Sequence, residues 1–160
     1  MYKIPISILV VIYNQKNEVL LLQRYDNNNF WQSVTGSLNS LNEELHIAAQ
    51  REVFEETGIK IESHIDIHIN DFQSSQLSFN TLCNLKYNVS YDIYHQFRYK
   101  YPPFASTNQE HWFALKIEDQ KSQYIKLSSY EHISFNWVDA QTARQKCFSP
   151  SNSIAIKKIL

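Results

Sequence analysis

One amphipathic helix, placed between two glycines, constrains the fold of this chain more than any other feature. Ser40–Glu43 has the form of a capping box, so the sequence predicts a helix that begins near Asn42. Gly58 would end this helix as a left-handed C-cap. An apolar stripe at helical spacing would pack the helix on a sheet, and it comprises Leu45, Ala48, Ala49, Val53 and Phe54.

The two flanking glycines, Gly36 and Gly58, are the only ones in the sequence of 160 residues. Average usage would give about 11 glycines in a chain of this length. Glycine is the residue that adopts a positive φ at least cost. We therefore predict that the backbone has a positive φ at both positions.

The remaining periodicity predicts strands on either side of this helix, and two more helices near the C-terminus. The second helix should run from Asp139 to Cys147, and the third should follow Ser151–Ser153. Elements of this kind predict a single α/β domain over residues 1–160, built as an α/β/α sandwich with a mixed sheet. The predicted strands are Ile6–Tyr13, Val19–Gln23, Ile61–Ile69, Leu77–Tyr87, Tyr91–Tyr99, His111–Ile117 and Ile133–Val138.

The charge balance and the cysteines limit the classes of partner. Lysine and arginine number 15 against 16 acidic residues, so the sequence predicts no nucleic acid polymer as a partner. The apolar run Ile4–Tyr13 is shorter than the roughly 20 residues that span a bilayer and lacks a cleavage site for a signal peptide, so no membrane partner is predicted. Cys83 and Cys147 match neither a zinc site nor a disulfide framework, which favours a reducing, cytoplasmic location. The oligomeric state has no signature in the sequence.

Three carboxylates crowd one turn of the predicted helix. Glu52 lies three residues before Glu55 and four before Glu56, so all three would share one side of the helix and repel one another. A divalent cation among them would relieve this repulsion, and carboxylate oxygens suit Mg²⁺, with Mn²⁺ as an alternative. A solvated acidic face is the other interpretation of the same pattern.

The segment from Gly36 to Ile59 resembles the Nudix box, with Glu43 seven residues before the run Arg51–Ile59. Six residues separate Gly36 from Glu43, where the family has five. The resemblance implies that Glu52 and Glu56 bind metal and that Glu55 binds a further ion or orients water. It also implies a catalytic role for Arg51, which would pair with Glu55 and be fixed by Glu43.

The similarity to Nudix hydrolases extends over nearly the whole chain and is greatest for the branch that acts on 7,8-dihydroneopterin triphosphate. It rests on Pro5–Tyr13, Leu22–Arg24, Phe30–Ser37, Glu131-His132 and Trp137–Ala140. This resemblance implies a small-molecule triphosphate substrate that is cleaved to a monophosphate and pyrophosphate in folate synthesis. It implies Glu131 as a third metal-binding and catalytic carboxylate. The substrate contacts that it implies are Lys3, Arg24, Thr35, Tyr91, Asp92, Ile93, Tyr94 and Ser149.

Several alternatives remain at the level of sequence. The box is equally typical of pyrophosphohydrolases that act on dATP or on oxidised nucleotides, and of ligand-sensing domains without catalysis, although those commonly lose the box carboxylates. Tyr91, Tyr94 and Phe97 are interpreted either as core aromatics or as a wall that stacks on a ring. Lys3 and Arg24 are either surface charges or phosphate ligands.

Overall fold

A computed structural model of the protein describes residues 1–27, 29–118, 124–128 and 130–160. Three α-helices are present in these residues: α1 (Leu45–Thr57), α2 (Ala140–Lys146) and α3 (Pro150–Ile159). Two short 3₁₀ helices span Ser74–Gln76 and His95–Lys100. The strands are β1 (Ile6–Tyr13), β2 (Glu18–Arg24), β3 (Trp31–Gln32), β4 (Val34–Ser37), β5 (Ser63–Asp66), β6 (Thr81–Asp92), β7 (Thr107–Lys116) and β8 (His132–Asp139).

All eight strands form one mixed sheet. Its main path is β3-β2-β1-β7-β6-β5, with β4 paired to β1 and β8 paired to β2. β1 runs parallel to β7, and β5 runs parallel to β6, whereas the other pairs are antiparallel. The apolar run Ile8–Tyr13 of β1 explains its central place, because a strand that is covered on both faces has no need of polar alternation.

Helices cover both faces of this sheet, which confirms the predicted α/β/α sandwich. Ile8, Val10 and Ile12 of β1 face α1, whose Ala48, Ala49 and Val53 are fully buried. The intervening residues of β1 face the other layer, where α2 and α3 contribute Ala143, Ala155, Ile156 and Ile159. The one-domain organisation stays a prediction.

The sheet divides beside β1, and this division makes room for a cleft. β7 occupies one edge of β1 along its whole length. β4 pairs with the other edge at Ser7–Val10, while β2 pairs with it at Tyr13. β2 and β4 therefore diverge, and the open space between them is bordered by Arg24 at the end of β2 and by Thr35 on β4.

The prediction of a strand over Tyr91–Tyr99 was wrong. β6 is one long strand that continues to Asp92, so the predicted strands at Leu77–Tyr87 and Tyr91–Tyr99 are partly the same element. Its pairing with β7 shifts between Asn84 and Asn88, where Lys86 has φ 52° and interrupts the alternation of side chains. After Asp92 the chain turns into the 3₁₀ helix His95–Lys100.

The helices also begin at different residues than predicted. α1 begins at Leu45 rather than near Asn42, because the Glu43 carboxylate accepts from the Asn39 N–H and from Arg51 instead of closing a capping box. α3 begins at Pro150, before the predicted Ser151–Ser153 start. The predicted α2 is confirmed, with Asp139 accepting from the Thr142 N–H at 2.9 Å as its N-cap.

Smaller differences concern burial and strand length. Phe54 does not belong to the buried stripe of α1, because its side chain is 52% exposed. The strands β3 and β4 were not predicted, and the predicted Ile61–Ile69 strand is limited to Ser63–Asp66. No helix in the described ranges is long and apolar enough to cross a membrane.

Candidate active site

The carboxylates of α1 divide between the protein interior and its surface. Glu56 is completely buried and Glu52 is 8% exposed, whereas the side chain of Glu55 is 50% exposed. The helix therefore places Glu52 and Glu56 together, one turn apart, and turns Glu55 outward. The Arg51 guanidinium contacts both Glu52 and Glu55, so these carboxylates lie on neighbouring parts of the helix surface, but Glu55 is exposed where Glu52 and Glu56 are buried.

Gly36 allows the Glu52 carboxylate to lie against β4. A Cβ atom at Gly36 would overlap Cδ and Oε1 of Glu52 and would lie 2.6 Å from Oε2. Gly58 has φ 76°, as predicted, but Gly36 is not among the glycines with a positive φ. Gly36 is therefore needed for close approach rather than for backbone conformation, and this corrects the prediction made from the sequence.

Arg51 organises the acidic end of the site. Its Nε and Nη2 donate to the two oxygens of Glu43 at 3.0 and 3.1 Å, and Nη1 donates to Glu52 Oε1 at 2.8 Å. Nη1 also contacts Glu55 Oε2 at 3.4 Å, and Nη2 donates to the Ser37 carbonyl at 3.1 Å. The guanidinium of Arg51 holds the pKa of Glu43 below its usual value. The predicted contacts of Arg51 with Glu43 and Glu55 are confirmed.

Glu56 has the properties expected of a cation ligand. Neither of its carboxylate oxygens has a hydrogen-bond partner among the described residues, although both are buried. Burial, followed by the nearby charges of Glu52 and Glu131, raises the pKa of Glu56 well above its usual value. A buried carboxylate without a partner is costly, and bound cations are a common solution.

Glu131 and His132 complete this group of potential ligands. One ligand atom from each of Glu56, Glu131 and His132 lies within 4.8 Å of the others. Burial, followed by the positive charge of Arg24, lowers the pKa of His132 to about 4, so its imidazole is neutral near pH 7. Its Nε2 lies 3.6 Å from Glu56 Oε1. Carboxylate oxygens beside a neutral imidazole fit a divalent cation, with the oxygens suited to Mg²⁺.

A cleft of about 650 Å³ begins at this acidic group. Glu52 and Glu131 line it together with three cations, Lys3, Arg24 and Lys100. Desolvation, followed by the positive charges of Lys100 and Arg24, lowers the pKa of Lys3. Cations that repel one another beside a cluster of acids suit a polyanion that is bound together with a metal ion.

Arg24 is held in place by its neighbours. Its Nε and Nη2 donate to the two oxygens of Asp26 at 2.8 and 2.6 Å, which is the bidentate geometry of a strong ion pair. Its Cζ lies 5.5 Å from the centre of the Phe97 ring. Arg24 thus has a fixed position on the cleft wall, which is expected of a group that orients a ligand.

Aromatic side chains form a second wall of the cleft. Tyr94, Phe97 and Phe148 line it, and Phe30 stacks on Phe148 with a centroid distance of 3.7 Å. The ring of Tyr94 lies 5.1 Å from that of Phe148 and 6.3 Å from that of Phe97. These rings offer an apolar surface to a flat ligand.

The structure brings most of the predicted substrate contacts into this cleft. Lys3, Arg24, Thr35, Tyr91, Tyr94 and Ser149 all line it. Asp92 and Ile93 do not, since Asp92 is exposed and Ile93 is buried outside the cleft. Strand alternation explains this difference in part, because Asp92 points to the opposite face of β6 from Tyr91. The roles of all these residues stay predictions.

Asn108 and Glu110 are among the polar residues of the cleft that the sequence analysis missed. Both are buried, and both share one face of β7 with Trp112. The alternation of that strand could have indicated them, because it places polar side chains in line with a core tryptophan. Phe148 was also missed, and no local pattern indicates it.

Comparison with known proteins agrees with this geometry. The NUDIX domain family matches residues 3–158. The chain belongs to the Nudix family. The family and enzyme class predicted from the sequence, a Nudix hydrolase, are therefore confirmed. Members of this family generally use divalent metal cations and act on small phosphate compounds.

Individual relatives cover this Nudix chain almost completely. The dihydroneopterin triphosphate diphosphatase of Haemophilus influenzae is 39% identical, over 99% of this chain and 89% of its own. The protein of the same name from Escherichia coli K12 is 38% identical, over 99% of this chain and 94% of its own. The solved structure of the E. coli dihydroneopterin triphosphate pyrophosphohydrolase aligns with a TM-score of 0.79 and 37% identity, over 99% of this chain and 96% of that one.

Proposed function

We propose that this Nudix hydrolase cleaves 7,8-dihydroneopterin triphosphate to dihydroneopterin monophosphate and pyrophosphate, a step of folate synthesis. The observation that carries the proposal is a single cleft with two chemically distinct parts. One part combines the acids Glu52 and Glu131 with Lys3, Arg24 and Lys100, and the other combines aromatic rings with polar side chains. The names of relatives that are 38–39% identical over nearly the whole chain support the same substrate.

The acidic part would hold a divalent cation. Glu52, Glu56 and Glu131 are the proposed ligands, and Mg²⁺ is the proposed ion, with Mn²⁺ as an alternative. When bound, such a cation neutralises phosphate charge and increases the acidity of water for attack on phosphorus. Glu55, on the outer side of the helix, is proposed to bind a further ion or to orient water.

The remaining residues position the substrate. Arg51 holds the Glu52 carboxylate at 2.8 Å and is itself anchored by Glu43, so the ligand is oriented before substrate binds. Lys3 and Arg24 would bind phosphate oxygens, and the ion pair of Arg24 with Asp26 limits the entropy that this binding costs.

Hydroxyl groups and rings would contact the rest of the substrate. Thr35 Oγ1 donates to the Ile8 carbonyl at 2.9 Å, so its hydroxyl oxygen is oriented to accept from a ligand. Ser149 and Tyr94 line the cleft near the aromatic wall and would contact the linker and the ring. Asp92 and Ile93 would act on the substrate only by supporting Tyr91 and Tyr94. A cytoplasmic location and a one-domain organisation complete the proposal.

A substrate panel with product identification tests this function. We expect kcat/KM for 7,8-dihydroneopterin triphosphate to exceed that for dATP or an oxidised guanine nucleotide by at least about tenfold, or about 1.4 kcal/mol of transition-state binding. Initial rates should be compared at matched Mg²⁺, with pyrophosphate measured as the common product. A nucleotide that equals or exceeds the pterin would refute the substrate and leave the hydrolase chemistry in place.

A matched control separates the site from general effects of charge. Glu62 is exposed and lies outside the cleft lining, so Glu62→Gln removes one negative charge without touching the site. We expect the variant to keep the substrate preference of the wild type.

A further inference from the structure

Glu110 is a buried acid of the cleft that the hydrolytic chemistry does not use. It lies on β7, is 3% exposed and lines the cleft. Its Oε1 accepts from Trp112 Nε1 at 3.0 Å and from Ser151 Oγ at 2.9 Å. Its Oε2 receives one hydrogen bond within the described part of the chain, from the Tyr91 hydroxyl at 3.5 Å, the limit for such a bond. Oε2 therefore retains most of its capacity to accept.

Asn108, two residues earlier on the same face of β7, adds a second acceptor. Its Nδ2 donates to Ser7 Oγ at 2.7 Å and to the Tyr91 hydroxyl at 3.1 Å. Its Oδ1 is buried and has no partner among the described residues, and the side chain lines the cleft. A buried amide oxygen without a donor is costly. Glu110 Oε2 and Asn108 Oδ1 are thus two acceptors at this end of the cleft that could accept hydrogen bonds from a ligand.

The arrangement selects a ligand by the pattern of its donors. A carboxylate accepts best from two parallel N–H groups, as it does from a guanidinium. A 2-amino-4-oxopyrimidine ring, as in a pterin or guanine, presents an N–H and an adjacent NH₂ on one edge. Adenine presents an NH₂ beside a ring nitrogen that is itself an acceptor, which would face the carboxylate with lone pairs opposed.

The position of Glu110 suits a ring whose phosphates lie at the acidic end. Glu110 is paired with Ser7 on β1, and Ser7 is paired with Ser37 on β4. Two steps between strands correspond to about 10 Å. The Ser37 carbonyl accepts from Arg51, which contacts Glu52. A triphosphate and a short linker span a comparable length between the acids and the ring.

We propose that Glu110 is a specificity-determining residue whose carboxylate pairs with the N–H and NH₂ edge of a 2-amino-4-oxopyrimidine ring. Asn108 Oδ1 accepts a further N–H at the same end of the cleft. The inference rests on the proposed function, because it places the phosphates of the substrate at the acidic end.

Glu110→Gln tests the pairing directly. Glutamine keeps the size of the side chain but replaces one acceptor with an NH₂ that opposes the ring donors. We expect kcat/KM for 7,8-dihydroneopterin triphosphate to fall by about 10- to 100-fold, the range for a lost hydrogen bond to a charged group. The value for dATP should change much less, so the pterin-to-dATP ratio should collapse. Glu62→Gln serves as the matched control.

A competition experiment on the wild-type protein provides an independent test. Phosphate-free 7,8-dihydroneopterin and guanosine should inhibit hydrolysis of dATP at concentrations at least about tenfold lower than adenosine. This comparison needs no variant. It therefore still tests the selectivity of the cleft for the ring if Glu110→Gln has no cooperative thermal unfolding and so is not natively folded. Equal inhibition by adenosine would overturn the proposal.

The outcomes separate this inference from the proposed function. If the wild type prefers the pterin triphosphate and Glu110→Gln keeps the same preference, the role of Glu110 is refuted and the function stands. If the wild type does not prefer the pterin triphosphate, the function fails. In that case the recognition of the ring by Glu110 would still be supported if guanosine inhibits the wild type more strongly than adenosine does and this difference is absent in Glu110→Gln.

Discussion

Replacement of Gly36 by alanine should lower kcat by displacing the Glu52 carboxylate. The new Cβ would lie 2.6 Å from Glu52 Oε2, whereas ordinary contacts begin at 3.4 Å. Oε2 must therefore retreat by 0.8 Å, and Cδ and Oε1 by more. A displacement of about 1 Å in a catalytic group can cost about 100-fold in rate, so we expect kcat to fall by about that factor. Overpacking should cost about 1–3 kcal/mol of unfolding free energy.

A double-mutant cycle isolates the contact between Gly36 and Glu52. In the Glu52→Ala background the methyl group of Gly36→Ala no longer meets the Glu52 carboxylate. Since Gly36 does not need a positive φ, alanine should there be neutral or stabilise the fold by up to about 1 kcal/mol. Thermal and denaturant unfolding of the four proteins measures the coupling free energy. An equal cost of Gly36→Ala in both backgrounds, or a wild-type kcat in the single variant, would refute the reasoning.

Gly58→Ala is the matched control for this experiment. Gly58 has φ 76°, and a Cβ there would lie 3.1 Å from the Cβ of Lys126. The strain of a left-handed residue is about 1–2 kcal/mol, which corresponds to a decrease in Tm of about 2–8 °C for a chain of this size. We expect the loss of stability without a change in kcat at temperatures well below Tm.

Three further predictions concern Glu56 and Glu131. Because the pKa of Glu56 is raised, the folded protein keeps a proton that the unfolded chain loses above its ordinary pKa of about 4.5. Without metal, the unfolding free energy should therefore fall as pH rises above that value. Glu56→Gln should flatten this pH dependence in thermal unfolding with EDTA, and an unchanged slope would contradict the prediction. The same variant should lose turnover at saturating Mg²⁺. Glu131→Gln should lower kcat more than it raises KM, because a metal ligand at the reacting centre affects the chemical step. Unchanged kinetics would show that Glu131 is only a surface charge.

Local patterns in the sequence were sufficient for the features that depend on neighbouring residues. The spacing of Glu52 and Glu56 places both carboxylates on one side of a helix in any fold. Gly58 ends α1 with a positive φ because the C-cap geometry is a property of the backbone itself. The apolar run of β1 similarly requires cover on both faces, which is why the α/β/α architecture was predictable.

The sequence pattern was misleading where a local signal competed with a distant partner. Glu43 fits a capping box by its spacing, but Arg51 and the Asn39 N–H bind its carboxylate, and the helix begins two residues after it. Phe54 fits the apolar stripe by its spacing, but it lies beyond the edge of the sheet contact and is exposed. Periodicity indicates which face of an element is apolar without fixing how wide its contact will be.

Tertiary structure alone decided which groups meet in the cleft. Gly36 and Glu52 are sixteen residues apart, and their contact explains a glycine whose φ is not positive. Glu110 on β7 meets Ser151 on α3 across 41 residues, and no pattern within either segment specifies the other. The sequence by itself determined the chemistry of each element, since propensity and periodicity act over a few residues. The pairing of β1 with both β4 and β7 brought these elements to one cleft, because strand pairing joins segments whose separation along the chain carries no local signal.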